Sequence, residues 1–168
     1  MEDFLKMMKK KILLSISLGT RTTGVVIFRN GKLIDWQTHC FRQPWSPSKA
    51  KRIIKVLASY FNTYTVDFFV AKLPPTTHHS NGIKALLKLL KIIIPPGCLV
   101  DYTTKREIKK IVHVKNTKAI RALAVELFPE LSGEFAKSKR NKQPYYKKLF
   151  EAAVTAHIWA KRFQKPDE

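Results

Sequence analysis

Residues Leu14 to Gly24 read LSISLGTRTTG, an apolar strand that runs into a threonine-rich turn bounded by glycines. A carboxylate at the end of such a strand commonly begins a divalent-cation site for phosphodiester hydrolysis, because hard cations need anionic oxygen ligands. The positions that would carry it hold Ser15 and Ser17. A neutral hydroxyl can offer a lone pair but cannot balance two cations. The stretch therefore poses a choice between cutting phosphodiesters and only holding them.

Groups able to hold phosphates are plentiful. Lys and Arg number 32 against 12 Asp and Glu, a formal net charge of +20 at pH 7. A chain this basic is drawn to polyanions, nucleic acid first and anionic membrane surfaces second. The densest run holds Lys105, Arg106, Lys109, Lys110, Lys115, Lys118 and Arg121. Arg106, Lys109 and Lys110 stand at i, i+3 and i+4, which makes one basic helical edge beside Ile108, Ile111 and Val112; Lys118 and Arg121 repeat the spacing on the next helix. A second run, KSKRNKQPYYKK, places Lys137, Lys139, Arg140, Lys142, Lys147 and Lys148 around Tyr145 and Tyr146, adding aromatic faces for stacking. Without a base-reading motif such contacts address backbone and shape. The plainer alternative for each run is a solvated face. Arg21, in the turn, either reaches phosphate or bonds the turn's own carbonyls.

Other chemistries find little support. Cys40 and Cys98 lie far apart with no C-x-x-C pairing, so both read as small core hydrophobes. His78 and His79 have no Cys, Asp or Glu close in sequence and read as a solvated loop; His157 reads as a satisfied, half-buried helix residue. Trp36, Trp45 and Trp159 read as packing. Neither a Ser-His-Asp arrangement nor a P-loop is present. No run reaches the roughly 18 apolar residues of a membrane span, and MEDFLKMMKKKILLSI lacks a long apolar stretch with a small-residue cleavage site. The expectation is a cytoplasmic protein in a reducing environment, with no membrane partner and no cofactor.

The elements that must position these residues follow from periodicity. KILLSISL (11–18) is a buried strand, and TGVVIFRNGKLIDWQTHCF holds two more strands around Asn30-Gly31, the dipeptide of a tight hairpin. In SKAKRIIKVLASYF the apolar Ala50, Ile53, Ile54, Leu57, Ala58 and Phe61 share one helical face, with Lys49, Lys51, Arg52 and Lys55 opposite. VDFFVAKL (66–73) is a fourth strand, and Ile83 to Ile94 a helix with Lys84, Lys88 and Lys91 on its wet stripe. GCLVDY (97–102) is a fifth strand, followed by helices through TKREIKKIV and from about Thr117 to Phe128, the latter capped by Asn116 or Thr117. Residues 131–144 carry no apolar period and read as a basic internal loop. YYKKLFEAAVTAHIWAKRF is a closing helix that buries Leu149, Ala153, Ala156, Ala160 and Phe163. A length of 168 residues suits a single domain over 1–168. Three antiparallel meander strands followed by βαβ crossovers predict an α/β protein with a mixed five-stranded sheet flanked by helices.

This order matches the ribonuclease H-like fold, and within it the chain resembles the RuvC-type Holliday-junction resolvases. ILLSISLGTRTTGVVIF resembles their first strand, turn and second strand; FFVAKLPP sits where the family has its fourth strand and a catalytic glutamate. YTTKREIKKIVHVKNTKAIRALAVELF is similar to the basic segment after the fifth strand, and LFEAAVTAHIWAKRF to the closing helix. The resemblance implies four carboxylates holding two divalent cations about 3.5–4 Å apart. Carried over, they fall on Ser17, on Lys72 or its neighbour Ala71, on Glu151 and on Val154, so one acid of four survives. Lys72 either points into the former metal cleft, its ammonium standing in for the cations, or snorkels from a strand end.

The expected function is therefore that of a catalytically degenerate RuvC-like protein, a pseudo-nuclease that binds structured or branched nucleic acid, DNA before RNA, without cleaving it. The resemblance implies a homodimer. Its binding residues would be Arg21, Lys72, Lys105, Arg106, Lys109, Lys110, Lys115, Lys118, Arg121, Lys139, Arg140, Lys142, Lys147 and Lys148. Two alternatives stay open. One is a Mg²⁺- or Mn²⁺-dependent endodeoxyribonuclease whose site has been rebuilt from Asp101, Glu107 and Glu151. The other is a basic scaffold or assembly protein.

Overall fold

The computed structural model describes residues 11–75, 80–141 and 146–164, the side chains of residues 141 and 161–164 excepted. Lys142, Tyr145, His78 and His79 lie outside the described residues, as does the side chain of Phe163. Five strands, β1 (Ile12–Ser17), β2 (Thr22–Arg29), β3 (Lys32–Cys40), β4 (Phe68–Leu73) and β5 (Leu99–Thr104), form one sheet in the order β3-β2-β1-β4-β5. The first three pair antiparallel, and β4 and β5 join parallel to β1. This is the mixed sheet that the order of elements predicts. Asn30 and Gly31 turn the β2–β3 hairpin, both at positive φ (55° and 77°), as a two-residue turn matched to strand twist requires.

Helices cover both faces. On one, α1 (Pro47–Thr63) and α2 (Asn81–Ile93) lie over Leu14, Ile16, Leu18, Val25, Ile27 and Ala71. On the other, α3 (Lys105–Val112), α4 (Thr117–Leu127), α5 (Ser132–Asn141) and α6 (Tyr146–Gln164) enclose a second core that includes Leu13, Val26, Phe28, Phe68 and Val70. The two sets alternate along each strand, as the period of two demands. Polar side chains start the helices: Ser46 accepts from the Lys49 amide, Ser80 from Ile83, Thr104 from Glu107 and Asn116 from Ala119.

Several expectations are corrected. Residues 131–144 do not form a loop throughout, because Ser132–Asn141 is helical. Glu134 in its first turn and Lys139 and Arg140 in its last suit the helix dipole; inward it turns the polar Ser138, 1% exposed, and Phe135, which meets the Phe150 ring at 6.2 Å. One inward aromatic in ten residues makes no readable period. Cys40 is exposed rather than core, because it ends the edge strand β3, and Cys98, just before β5, is half-buried against the core beneath α1 and α2. Lys49 is buried instead of facing water, its ammonium donating to the Gln43 carbonyl at 2.7 Å. Trp45 is 40% exposed rather than packed away. The closing helix is buried all round from Leu149 to Ala156, not on one face, since it lies between the sheet and α3 and α4. No helix among the described residues is long and apolar enough to cross a membrane.

Candidate functional site

The parallel pairing of β1 and β4 brings Ser17 beside Lys72, with Gly24 of β2 on one flank and Thr103 of β5 on the other. All four lie near the same end of the sheet, on its α6 side: Ser17, Lys72 and Thr103 close to the carboxyl ends of their strands and Gly24 close to the start of antiparallel β2. The register also decides between the two candidates on β4: Ala71 pairs with Ile16 and joins the opposite core, so Lys72 holds the position beside Ser17. Gly24 is what lets α6 land here. A Cβ at Gly24 would lie 2.2 Å from the backbone carbonyl carbon and oxygen of Lys148, so only glycine admits this crossing. Ser15 fixes the helix one turn on, donating its hydroxyl to the Ala152 carbonyl at 2.7 Å.

The crossing sets Glu151 over the strand ends, where its Oε2 meets Lys72 Nζ at 2.8 Å, with side chains 0% and 4% exposed. Lys72 therefore points into the cleft and does not snorkel away. The second carboxylate oxygen, Oε1, and the buried Ser17 hydroxyl have no hydrogen-bond partner among the described residues. Val154, three residues beyond Glu151, is buried in the core. Glu107 accepts from Thr103 Oγ1 at 3.2 Å, and Asp101 accepts from the Tyr102 amide at 2.9 Å.

Three further lysines close in. Lys148, from the first turn of α6, donates to the Leu18 carbonyl at 3.4 Å, and Lys105, opening α3, donates to Thr117 Oγ1 at 2.6 Å. Burial, then the neighbouring ammonium of Lys72, pushes the Lys148 amine down to about 8, with Glu151 pulling the other way. Burial and then Lys147 push Lys105 to about 8. Four ammonium groups thus crowd one carboxylate, a local excess of positive charge partly removed from water. An added anion would relieve it, because like charges at close range in low dielectric each disfavour the other's protonation.

The remaining basic residues are dispersed. Arg106, Lys110, Lys115, Lys118, Lys139, Arg140 and Arg21 are exposed, and Lys109 is half-buried. Arg121 does not extend the basic edge outward: its guanidinium stands 5.7 Å from the Phe135 ring centroid, and Lys139 Nζ covers the same ring at 4.6 Å. Tyr146 packs half-buried against the core instead of offering an open face. Sequence reasoning put Lys105, Lys72 and the Lys147-Lys148 pair in separate groups. The signal that joins the last two to Glu151 was their i, i+3 and i, i+4 spacing on one helix.

These residues do not fit a pair of divalent cations. A hydroxyl, a valine, and a carboxylate already paired with an ammonium leave no set of anionic oxygens to balance four positive charges. Among the described residues no group of three or more His, Cys, Asp or Glu stands close enough to hold a metal ion, so Asp101, Glu107 and Glu151 do not form one.

No protein-family profile matches the sequence, and no curated protein does. Solved structures do match. The structure of Thermus thermophilus RuvC superposes with a TM-score of 0.65 at 12% identity, covering 91% of this chain and 96% of that one. T. thermophilus RuvC in complex with Holliday junction substrate gives 0.65 at 10% identity with the same coverage. The fowlpox virus Holliday junction resolvase gives 0.55 at 15% identity over 90% of this chain and 99% of that one. At such identities the likeness is one of fold, and the fold is RuvC-like, of the ribonuclease H-like class.

Proposed function

We propose that this chain binds branched or structured DNA through the lysine-lined cleft at the carboxyl ends of β1 and β4, and does not cleave it. The observation that carries the reading is the buried pair between Lys72 and Glu151, 2.8 Å apart, in the place where the resemblance would put cations. An ammonium balanced by a carboxylate cannot polarise a bridging oxygen and activate water as a metal pair does, and the neighbouring Lys105, Lys147 and Lys148 are left to neutralise a backbone phosphate. The net charge of +20 and the two resolvase folds, one of them solved with Holliday junction substrate, support a DNA partner. The exposed basic residues on α3 and α4 supply the wider footprint, through phosphate contacts that position rather than read sequence.

The reading includes a homodimer. It rests on the resemblance, and the exposed Ile92, Leu99 and Val100 offer apolar surface for such a contact. Sedimentation of wild type and Ile92→Asp tests it: a twofold mass that falls to one chain supports this contact, and a monomeric wild type removes the dimer.

The function is tested by electrophoretic shift of a labelled four-way junction, blunt duplex and single strand over a range of salt, with the strands then run on a denaturing gel. The expected result is junction binding that weakens as salt rises, by a slope of about −0.9 for each phosphate neutralised, with intact strands. Cut strands would favour a nuclease. An absence of binding at low salt would favour a scaffold.

A further inference from the structure

A second pocket lies outside the central cleft, and we infer that it receives an unpaired nucleotide of the bound nucleic acid, its base stacking on Trp45. The inference rests on the proposed nucleic-acid binding and adds a site to it. The cavity, about 660 Å³, lies between the β1–β2 turn and the segment joining β3 to α1; Arg21, Phe41, Arg42, Trp45 and Lys49 are among its lining residues. That size is within the roughly 300–1,000 Å³ usual for small-ligand sites. Among the described residues its charged lining is two arginines and a lysine, with no carboxylate. Cationic walls with one open indole suit a phosphate joined to a planar base.

The indole is held as a platform. A Cβ placed on Gly82 would stand 3.2 Å from each of Trp45 Cδ2, Cε2 and Cε3, so one face of the ring lies flat on the start of α2. The side chain remains 40% exposed. The segment carrying it is pinned at both ends. The Phe41 amide donates to the Arg21 carbonyl at 2.7 Å, the Lys49 ammonium donates to the Gln43 carbonyl at 2.7 Å, and Ser46 caps α1 through the Lys49 amide at 3.0 Å. Little ordering is left to be lost on binding, which favours affinity.

The pocket is also connected to the cleft. A smaller cavity of about 270 Å³ shares Thr20, Arg21 and Thr22 with it and reaches Lys148. A strand whose phosphate sits among the central lysines can therefore continue past Arg21 and place its next unpaired base on Trp45. A fully paired duplex has no free base to offer, so the pocket discriminates unpaired from paired nucleic acid.

Fluorescence anisotropy with labelled oligo(dT) and with a blunt duplex, on the full chain, tests this. Trp45→Ala is expected to weaken oligo(dT) binding about tenfold, in line with the loss of one stacked base, and to leave duplex affinity unchanged. Trp45→Phe should restore most of the loss. Arg42→Ala, an exposed change that leaves the platform in place, should also weaken oligo(dT) more than duplex. Equal losses for both probes, or no loss for either, would overturn the pocket while leaving cleft binding intact. A wild type that binds neither probe would overturn the underlying reading, and the pocket with it.

Discussion

The two faces of the sheet are built from alternate residues of the same strands, yet they differ in kind. Beneath α1 and α2, β1 and β4 present Leu14, Ile16, Phe69 and Ala71, all buried and all apolar. Beneath α6 they present Leu13, Phe68 and Val70 but then Ser15, Ser17 and Lys72, which lie with Glu151, Thr103 and Thr155 in an equally buried layer. Burying polar groups is costly unless they are paired, and here Ser17 and one oxygen of Glu151 have no hydrogen-bond partner among the described residues. The first face is explained by packing. The second keeps features that packing alone would not select, at the strand ends where the cleft opens.

The largest effect expected from this contrast lies in the ion pair. Glu151→Leu leaves the Lys72 ammonium buried without its carboxylate and should cost about 3–5 kcal/mol of stability, read by urea unfolding. The double change Lys72→Met with Glu151→Leu should recover most of that loss, since a well-packed apolar pair often matches a buried ionic one. Recovered stability with lost DNA affinity would show that the polar layer serves binding. Recovered stability with unchanged affinity would break the comparison.

On the apolar face, Leu14→Ala should cost about 2–5 kcal/mol by opening a cavity. The affinity of the molecules that remain folded should not move. A change in affinity would mean that both faces shape the cleft.

The smallest effect is electrostatic. Lys105 and Lys148 lie near 8 in the folded protein against an ordinary 10.5, so the unfolded chain holds more protons between those values. Their cost to stability is therefore full below pH 8 and fades as pH rises toward 10.5. The proposed DNA binding should run the other way, because phosphate favours the charged amines. Between pH 7 and 9 the dissociation constant for a four-way junction should rise several-fold, about as expected for losing one or two phosphate contacts. With Lys105→Ala and Lys148→Ala combined, binding should be weaker and the pH profile flatter. Lys72, Lys147 and Glu151 are the other charges facing these amines.

The contrast also marks what could be read from the chain. Strand and helix positions on the apolar face follow from period alone, and Asn30-Gly31 names its own turn. The Ser17, Lys72 and Glu151 positions were legible through resemblance, yet their union depends on the parallel register of β1 with β4 and on the Gly24 crossing, which no local pattern encodes. Trp45 escaped because an indole in a polar segment reads as packing until its open face is seen. Helix α5 escaped because basic residues hold little apolar period, and Lys49 because its partner is a backbone carbonyl six residues back.

The proposed function requires that the Lys72–Glu151 pair stand where the resemblance would place a pair of cations. It is tested most directly by measuring four-way-junction affinity and strand integrity at fixed ionic strength in EDTA, in Mg²⁺ and in Mn²⁺. The expected result is the same affinity in all three and uncut strands throughout. Binding that tightens with metal, with cutting that Glu151→Gln abolishes, would contradict it.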